Sequence, residues 1–249
     1  MKKSNLLLLI ALIAVLATIL IGAIFIRTNR TFIPRFTQGD GNIKQAERSI
    51  SAFEKVKVTG NYNVYFTQDS IRKLMLNADA NLHEYIITEV RNNELVIRSS
   101  KPIRSSNELR IELSTLNLTH AEASGGAGFF TNTPLILPIL QLTANGGAKM
   151  EIEGIFETLH AFQNAGSNMV LSGKAGRLVI ESNAGGRVNA AALEAETARV
   201  EANAGASAVV NAKEVDANAN AGGSVQYIGD PIFHGMQTSA GGSIRRWNR

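Results

Sequence analysis

From Ser51 onward, apolar residues recur at every second position. Phe53, Val56 and Val58 precede Thr59-Gly60-Asn61, and Tyr62, Val64 and Phe66 follow it, the pattern of a strand, a turn and a second strand. Strand-like runs follow at 74–76, 95–97 and 109–113, while the spacing over 81–91 admits one short helix ahead of the Asn92-Asn93 turn. Residues 51–115 therefore read as rich in β structure.

The second half repeats itself. The units SGGAGF, NGGAKM, NAGSNM, NAGGRV, NAGASA, NAGGSV and SAGGSI align Gly126, Gly147, Gly166, Gly185, Gly205, Gly222 and Gly241 in one column, with spacings of 21, 19, 19, 20, 17 and 19 residues. Alternating apolar or small residues flank each glycine, as with Leu178, Ile180 and Ser182 before Gly185 and Val188 and Ala190 after it. Such a unit cannot bury its own apolar face, so consecutive units must stack. The expectation is a parallel β-solenoid with two short strands per rung and rungs about 4.8 Å apart. A propeller blade needs about 40 residues and does not fit this period. The glycines mark a corner that requires positive φ or close backbone approach. Stacking also brings Asn145, Asn164, Asn183, Asn203 and Asn220 into a ladder of mutually bonded amides, with Ser124 and Ser239 at its ends. Inward positions shrink to Ala198, Ala202, Ala208, Ala217 and Ala219, so the later rungs bury less apolar area than those of Met150 and Met169.

The N-terminus follows another pattern. Lys2 and Lys3 precede an uncharged apolar run over residues 6–26, which reaches about 31 Å as a helix, enough to cross a bilayer core. A cleaved leader carries a shorter apolar region, of about 7–15 residues, so an uncleaved anchor fits better. Arg27, Arg30 and Arg35 outnumber Lys2 and Lys3, and charge alone would place the C-terminal side in the cytoplasm, although long domains translocate regardless of such charges. The domain plan is a short tail and transmembrane signal anchor over 1–26, a polar tether over 27–49, a head over 51–244 and a basic tail over 245–249. Within the head, 51–115 hold the N-terminal strands and 116–244 the repeat rungs. Trp247 and the arginines of the tail are expected to close the last rung.

Composition narrows the chemistry. The chain has no cysteine, which excludes a disulfide framework, an iron–sulfur site, a thiol nucleophile and a lipoprotein anchor. The net charge of +4 gathers at the chain ends: residues 1–50 carry 7 basic and 2 acidic groups, whereas 116–229 carry 6 and 10. A folded basic face for nucleic acid is thereby excluded. His120 and His160 share a column two rungs apart with Gln141 between them, a separation of about 9.6 Å that is too long for one zinc ion. His83 and His234 stand apart from that column. The positions after the glycines, Lys149, Asn168, Arg187, Ser207 and Ser224, lack the acidic residues of calcium-binding solenoid repeats. Glu181 and Glu201 fall in one outward column on adjacent rungs, about 5 Å apart, the separation of the paired carboxylates of a retaining glycosidase. Arg187 and Arg199 lie close enough to pair with them, as on an ordinary solvated face. No catalytic, cofactor-binding or metal-binding residue is assigned, and no cofactor is expected.

The run SISAFEKVKVTGNYNVYF from Ser49, the segment 74–97 with Asp79, Asn81, Leu82 and Leu95-Val96-Ile97, and the AGG and AGS rungs together resemble the head GIN domain family of autotransporter adhesins. The likeness runs from about residue 51 to 244. It implies a right-handed parallel β-helix in an exported or membrane-associated bacterial protein, with the head outside the inner membrane, and it defines no catalytic residues. The combined reading is an all-β, membrane-anchored protein of the cell envelope, single-pass, with an extracytoplasmic β-solenoid that serves as a binding, adhesion or scaffold surface. Its partners would be the lipid bilayer, through the N-terminal helix, and an envelope protein or a glycan. The alternative is a polysaccharide-acting β-helix enzyme that uses Glu181 and Glu201.

Overall fold

The computed structural model describes residue 12, residues 15–22 and residues 36–247, and the chain divides between Thr37 and Gln38 into two compact units. In the first unit Leu12 and residues 15–22 are helical, while the rest of the apolar run 6–26 and the charges that flank it lie outside the described residues. Among the described residues no helix is long and apolar enough to cross a membrane.

The second unit is an all-β parallel solenoid. Its rungs differ from the expectation of two short strands, because the ladder runs almost unbroken from one glycine corner to the next, as in Lys149–Gln163 and Arg187–Asn203. In the latter the buried positions are Val188 and Ala190, then Leu193 and Ala195, then Ala198, Val200 and Ala202. The alternation slips phase at 191–192 and again at 196–197 in this rung, and once, at 157–158, 176–177 and 213–214, in Lys149–Gln163, Asn168–Ser182 and Ser207–Asn220. The strand bends at each slip; the slip common to all four parts a third side from the entry side leading into the next corner, and the exit side follows the corner. Bends of this kind need no Gly-Pro signal, only a change of phase.

The unequal spacing of the glycines is absorbed at one of these bends. Val170 registers with Asn189 but Ser172 with Ala192, which accommodates the 20-residue step, and Ala190 registers with Val210 but Glu194 with Asn211, which accommodates the 17-residue step. The corners themselves stay stacked, so a column of corner residues remains a column in space.

The N-terminal part continues the solenoid out of sequence order. Lys55–Thr59 lies between Glu94–Ser99 and His120–Ser124, and Asn63–Gln68 lies between Arg110–Thr115 and Gly128–Thr131, all parallel. Lys73–Asp79 then pairs antiparallel with both Arg110–Thr115 and Ile43–Glu47. The helix expected over 81–91 is replaced by a single 3-10 turn, Ala80–Leu82, and the strand Ile86–Arg91. Ile86, Thr88 and Val90 alternate as β-branched residues, and Asn92 and Asn93, at φ 49° and 64°, close a hairpin with Glu94–Ser99.

Two expected boundaries also shift. Part of the tether 27–49 is folded, since Ile43–Glu47 pairs with Asp79 through Met75 and the Gly39 N–H reaches the Arg104 carbonyl at 2.8 Å. At the other end, Arg245 and Arg246 belong to the strand Ser243–Arg246, in register with Gln226 and Tyr227. Both segments lack the apolar alternation that marks a strand, because each adds an edge whose side chains stay largely exposed.

Candidate binding surfaces

The glycine corners come first because they fix every outward column. Gly126, Gly147, Gly166, Gly185, Gly205, Gly222 and Gly241 all have positive φ, between 69° and 85°. The residue before each also lies in the left-handed region, and in five corners it is alanine: Ala165, Ala184, Ala204, Ala221 and Ala240, at φ 47° to 53°. Every corner but the last, at Gly241, is held by the next rung. The Gly166 N–H donates to the Ala184 carbonyl at 3.1 Å, and the Gly185 N–H to that of Ala204 at 3.1 Å. Beside them runs the expected amide ladder in two stretches, Asn164 Nδ2 donating to Asn145 Oδ1 at 3.3 Å, and Asn203 to Asn183 at 3.1 Å with Asn220 to Asn203 at 3.2 Å, while Asn164 and Asn183 are not joined. These amides are occupied by one another, and the ladder is part of the frame.

The entry side carries both constellations singled out from the sequence. Glu181 and Glu201 are register partners, as expected. Arg199 binds Glu201, Nη2 to Oε1, at 2.9 Å, whereas Arg187 donates to Ser207 Oγ at 3.3 Å and to neither carboxylate. The recess beside Glu201 holds about 90 Å³ and is lined by Arg199, Asp216, Asn218 and Gln237 but not by Glu181. Glu201 is thus engaged by Arg199, and the enzymatic reading gains no support from the site.

His120, Gln141 and His160 occupy one column, register partners in turn. With Lys55, Glu94, Thr119 and Ile139 they line an open recess of about 530 Å³. Burial lowers the pKa of His120, with the Glu122 and Glu94 carboxylates pulling it up and the Lys55 and Lys57 ammonium groups adding to the fall. Among the described residues no three His, Cys, Asp or Glu side chains gather closely enough to hold a metal.

The third side holds a surface that the sequence did not announce. Ala175, Ala195 and Ala212 floor a groove of about 670 Å³, with Ile155 and Phe156 at one end and residues 228–230 at the other. Lys174, Glu194, Glu196 and Lys213 line it as well. Ile155, 52% exposed, is the register partner of Ile136, 69% exposed. The one available signal was the slip of phase that follows Ala175, Ala195 and Ala212 in their rungs, where the strand turns from the third side to the entry side.

The fold and these surfaces define a β-solenoid with outward columns. Residues 52–231 match the family described as "Putative auto-transporter adhesin, head GIN domain", and the chain belongs to that family. A putative adhesin from Bacteroides fragilis has the same fold, with a TM-score of 0.77 at 20% identity over 85% of this chain and 100% of that one. A putative adhesin from Parabacteroides distasonis gives 0.73 at 18% identity over 86% and 100%, and a putative lipid binding protein from the same species gives 0.68 at 19% over 86% and 100%. At these identities the likeness is one of fold. No curated protein matches the chain.

Proposed function

We propose that this chain is a non-catalytic binding protein of the bacterial cell envelope. The apolar run 6–26 holds it in the inner membrane as one uncleaved span, and the head lies outside the cytoplasm with the outer faces of its rungs available for adhesion or capture. The observation that carries this reading is the exposed apolar pair Ile136 and Ile155 at the end of the third-side groove. Inside the rungs the buried polar side chains are all partnered among the described residues. Outside, exposed isoleucines beside a concave alanine floor with a charged rim have the form of a recognition surface. Family membership and the adhesin and lipid-binding names of the neighbours support a binding role in the envelope.

The test has two parts. In cells expressing the full chain, protease should digest the head in sealed spheroplasts; digestion only after the inner membrane is lysed would reverse the orientation. Purified full-length protein, immobilised, should retain isolated envelopes, and the Ile136→Asp/Ile155→Asp variant should retain fewer. Equal retention by the variant would remove the third side as the binding surface.

A further inference from the structure

We infer that the entry-side recess between Lys55 and His160 binds a neutral oligosaccharide laid along the stacking axis. This rests on the binding role proposed above and names a ligand class for a second surface.

Two polar columns run along the entry side, parted by the column of Glu122, Thr143 and Phe162, and they behave oppositely. In the corner column the Asn amides bond one another at 3.1 to 3.3 Å in three of the four steps from Asn145 to Asn220. In the column of His120, Gln141 and His160 the register is equally good, yet none of the three side chains forms a hydrogen bond with another described residue. Gln141 is exposed and His120 and His160 are half-buried, so three rungs of donors and acceptors point into one recess without satisfying each other. A structural ladder closes on itself, as the corner column does at three of its four steps.

The lining selects the ligand class. Lys55 and Glu94 are register partners of opposite sign at one end of the recess, so the site offers no net charge to a phosphate or a carboxylate. The remaining polar groups are an amide, two imidazoles and the Thr119 hydroxyl. They sit beside an apolar surface made of Ile139, 55% exposed, and the stacked His160 and Phe162 rings, 6.1 Å apart. Hydroxyl edges with an apolar C–H face are the chemistry of a sugar ring. The rung spacing of about 4.8 Å is close to the advance of one monosaccharide along an extended chain, so equivalent groups meet successive sugars. An added peptide strand is disfavoured, because the backbone under the recess is already paired on both edges. The ladder stops where Val179, 8% exposed, follows His160 in the column.

Purified full-length protein, kept in a detergent without a sugar headgroup, would be titrated calorimetrically with neutral hexamers of β-1,4-linked glucose, β-1,4-linked N-acetylglucosamine and β-1,3-linked glucose, and with hexagalacturonate. At least one neutral hexamer should bind saturably and hexagalacturonate should not. Gln141→Ala and His160→Ala should each weaken that binding by about tenfold, the loss of one or two ligand hydrogen bonds. Asn203→Ala, in the self-bonded column, should leave it unchanged. Unaltered circular dichroism of Gln141→Ala would show that the exposed substitution has not unfolded the rung. Silence from all three neutral hexamers, a preference for hexagalacturonate, or binding indifferent to Gln141→Ala would each overturn the site. If envelope retention persists and still depends on Ile136 and Ile155, only this ligand assignment fails; loss of both results would sink the binding role itself.

Discussion

Asp79 Oδ1 accepts a hydrogen bond from the Gly41 N–H at 2.7 Å across 38 residues of sequence. The carboxylate is fully buried, Ser105 Oγ donates to its other oxygen, and Gly39 packs so closely that a β-carbon there would strike it. One side chain thus ties the residues that precede the head's first long strand to the loop at 105–107. Burial alone pushes the Asp79 carboxyl up, but the hydrogen bonds from Ser105, the Gly41 N–H, its own backbone N–H and Asn107 outweigh this and hold it below the usual carboxylate value.

The pH dependence follows from that direction. As pH falls, the unfolded chain takes up the proton before the folded one, so the stabilisation present at neutral pH is lost as pH drops through the lowered folded-state pKa. Asp79→Ala should lower stability at neutral pH by about 1–3 kcal/mol, because partners are left unsatisfied in a buried site. It should also flatten the acid-side loss. Urea unfolding at neutral pH and at a pH below the carboxylate range checks both, and a variant that follows the wild-type curve throughout would show that the clamp contributes nothing.

At the corner of Ala184 and Gly185 two substitutions should move stability in opposite directions. A β-carbon at Gly185 meets no atom within 4 Å, so the cost of Gly185→Val comes from φ at 74° alone, about 1–3 kcal/mol. Ala184 already bears that kind of strain at φ 53°. Left-handed alanine costs about 1–2 kcal/mol, more than the extra unfolded freedom of glycine, about 0.4–1, so Ala184→Gly should stabilise slightly. Arg187→Ala should change stability by no more than about 0.5 kcal/mol. Thermal melts of the three variants would reveal whether the corner is conformational; equal midpoints for Gly185→Val and Arg187→Ala would say it is not.

Much of this frame was legible because its causes are local. The Gly185 column announces a positive φ, and Asn183 with Asn203 announces a ladder once the period is known. Ala184 was not legible, since alanine carries no signal for the left-handed region; neighbouring rungs hold it there through the Gly185 N–H bond to the Ala204 carbonyl. Nor was Ile43–Glu47, whose pairing with Lys73–Asp79 depends on the distant clamp at Asp79. The third-side groove was hidden for a related reason: Ala175, Ala195 and Ala212 look like weak core until the bends turn them toward a concavity. Glu181 and Glu201 were placed correctly in register, but only the Arg199 contact reveals that Glu201 is engaged within the protein.

Gln163 offers a test of the interior. It is fully buried, receives a bond from Ser182 Oγ at 2.6 Å and donates to Ser167 Oγ at 3.1 Å, while Gly186 leaves room for its amide. Gly186 has no positive φ, so its role is space and not conformation. Gly186→Ala should cost about 1–3 kcal/mol by overpacking. In a Gln163→Ala background the same change should cost much less, a coupling that a double-mutant cycle reads directly. Additive effects would mean that Gly186 does not serve Gln163.

The last prediction concerns the C-terminal rung. Ser243–Arg246 pairs with Ser224–Tyr227, Ile232–Ser239 pairs with Ser207–Asn220, and among the described residues no further rung stacks on either. Open strand edges are templates for association, and charge is the usual protection. Arg245 and Arg246 supply charge from within the ladder. Arg246 also donates to the Gly229 carbonyl, Nη2 at 2.8 Å and Nε at 3.1 Å, pairs with Asp230, and so fixes the turn that follows Tyr227. Tyr227 in turn packs edge-on against Phe233 with ring centres 5.0 Å apart, and its carbonyl accepts the Trp247 N–H at 2.8 Å. Deleting residues 245–249 therefore removes ladder residues and the clamp together. The truncated chain should melt earlier and self-associate with rising concentration, while its β-rich circular dichroism stays largely intact because the earlier rungs are untouched. Arg246→Ala should show the lower melting temperature with weaker association, since Arg245 remains on the edge. Sedimentation of both variants against the full chain in the same micelles separates these effects. A truncated protein that matches the full chain in mass and in melting temperature would show that this segment neither closes nor protects the end of the solenoid.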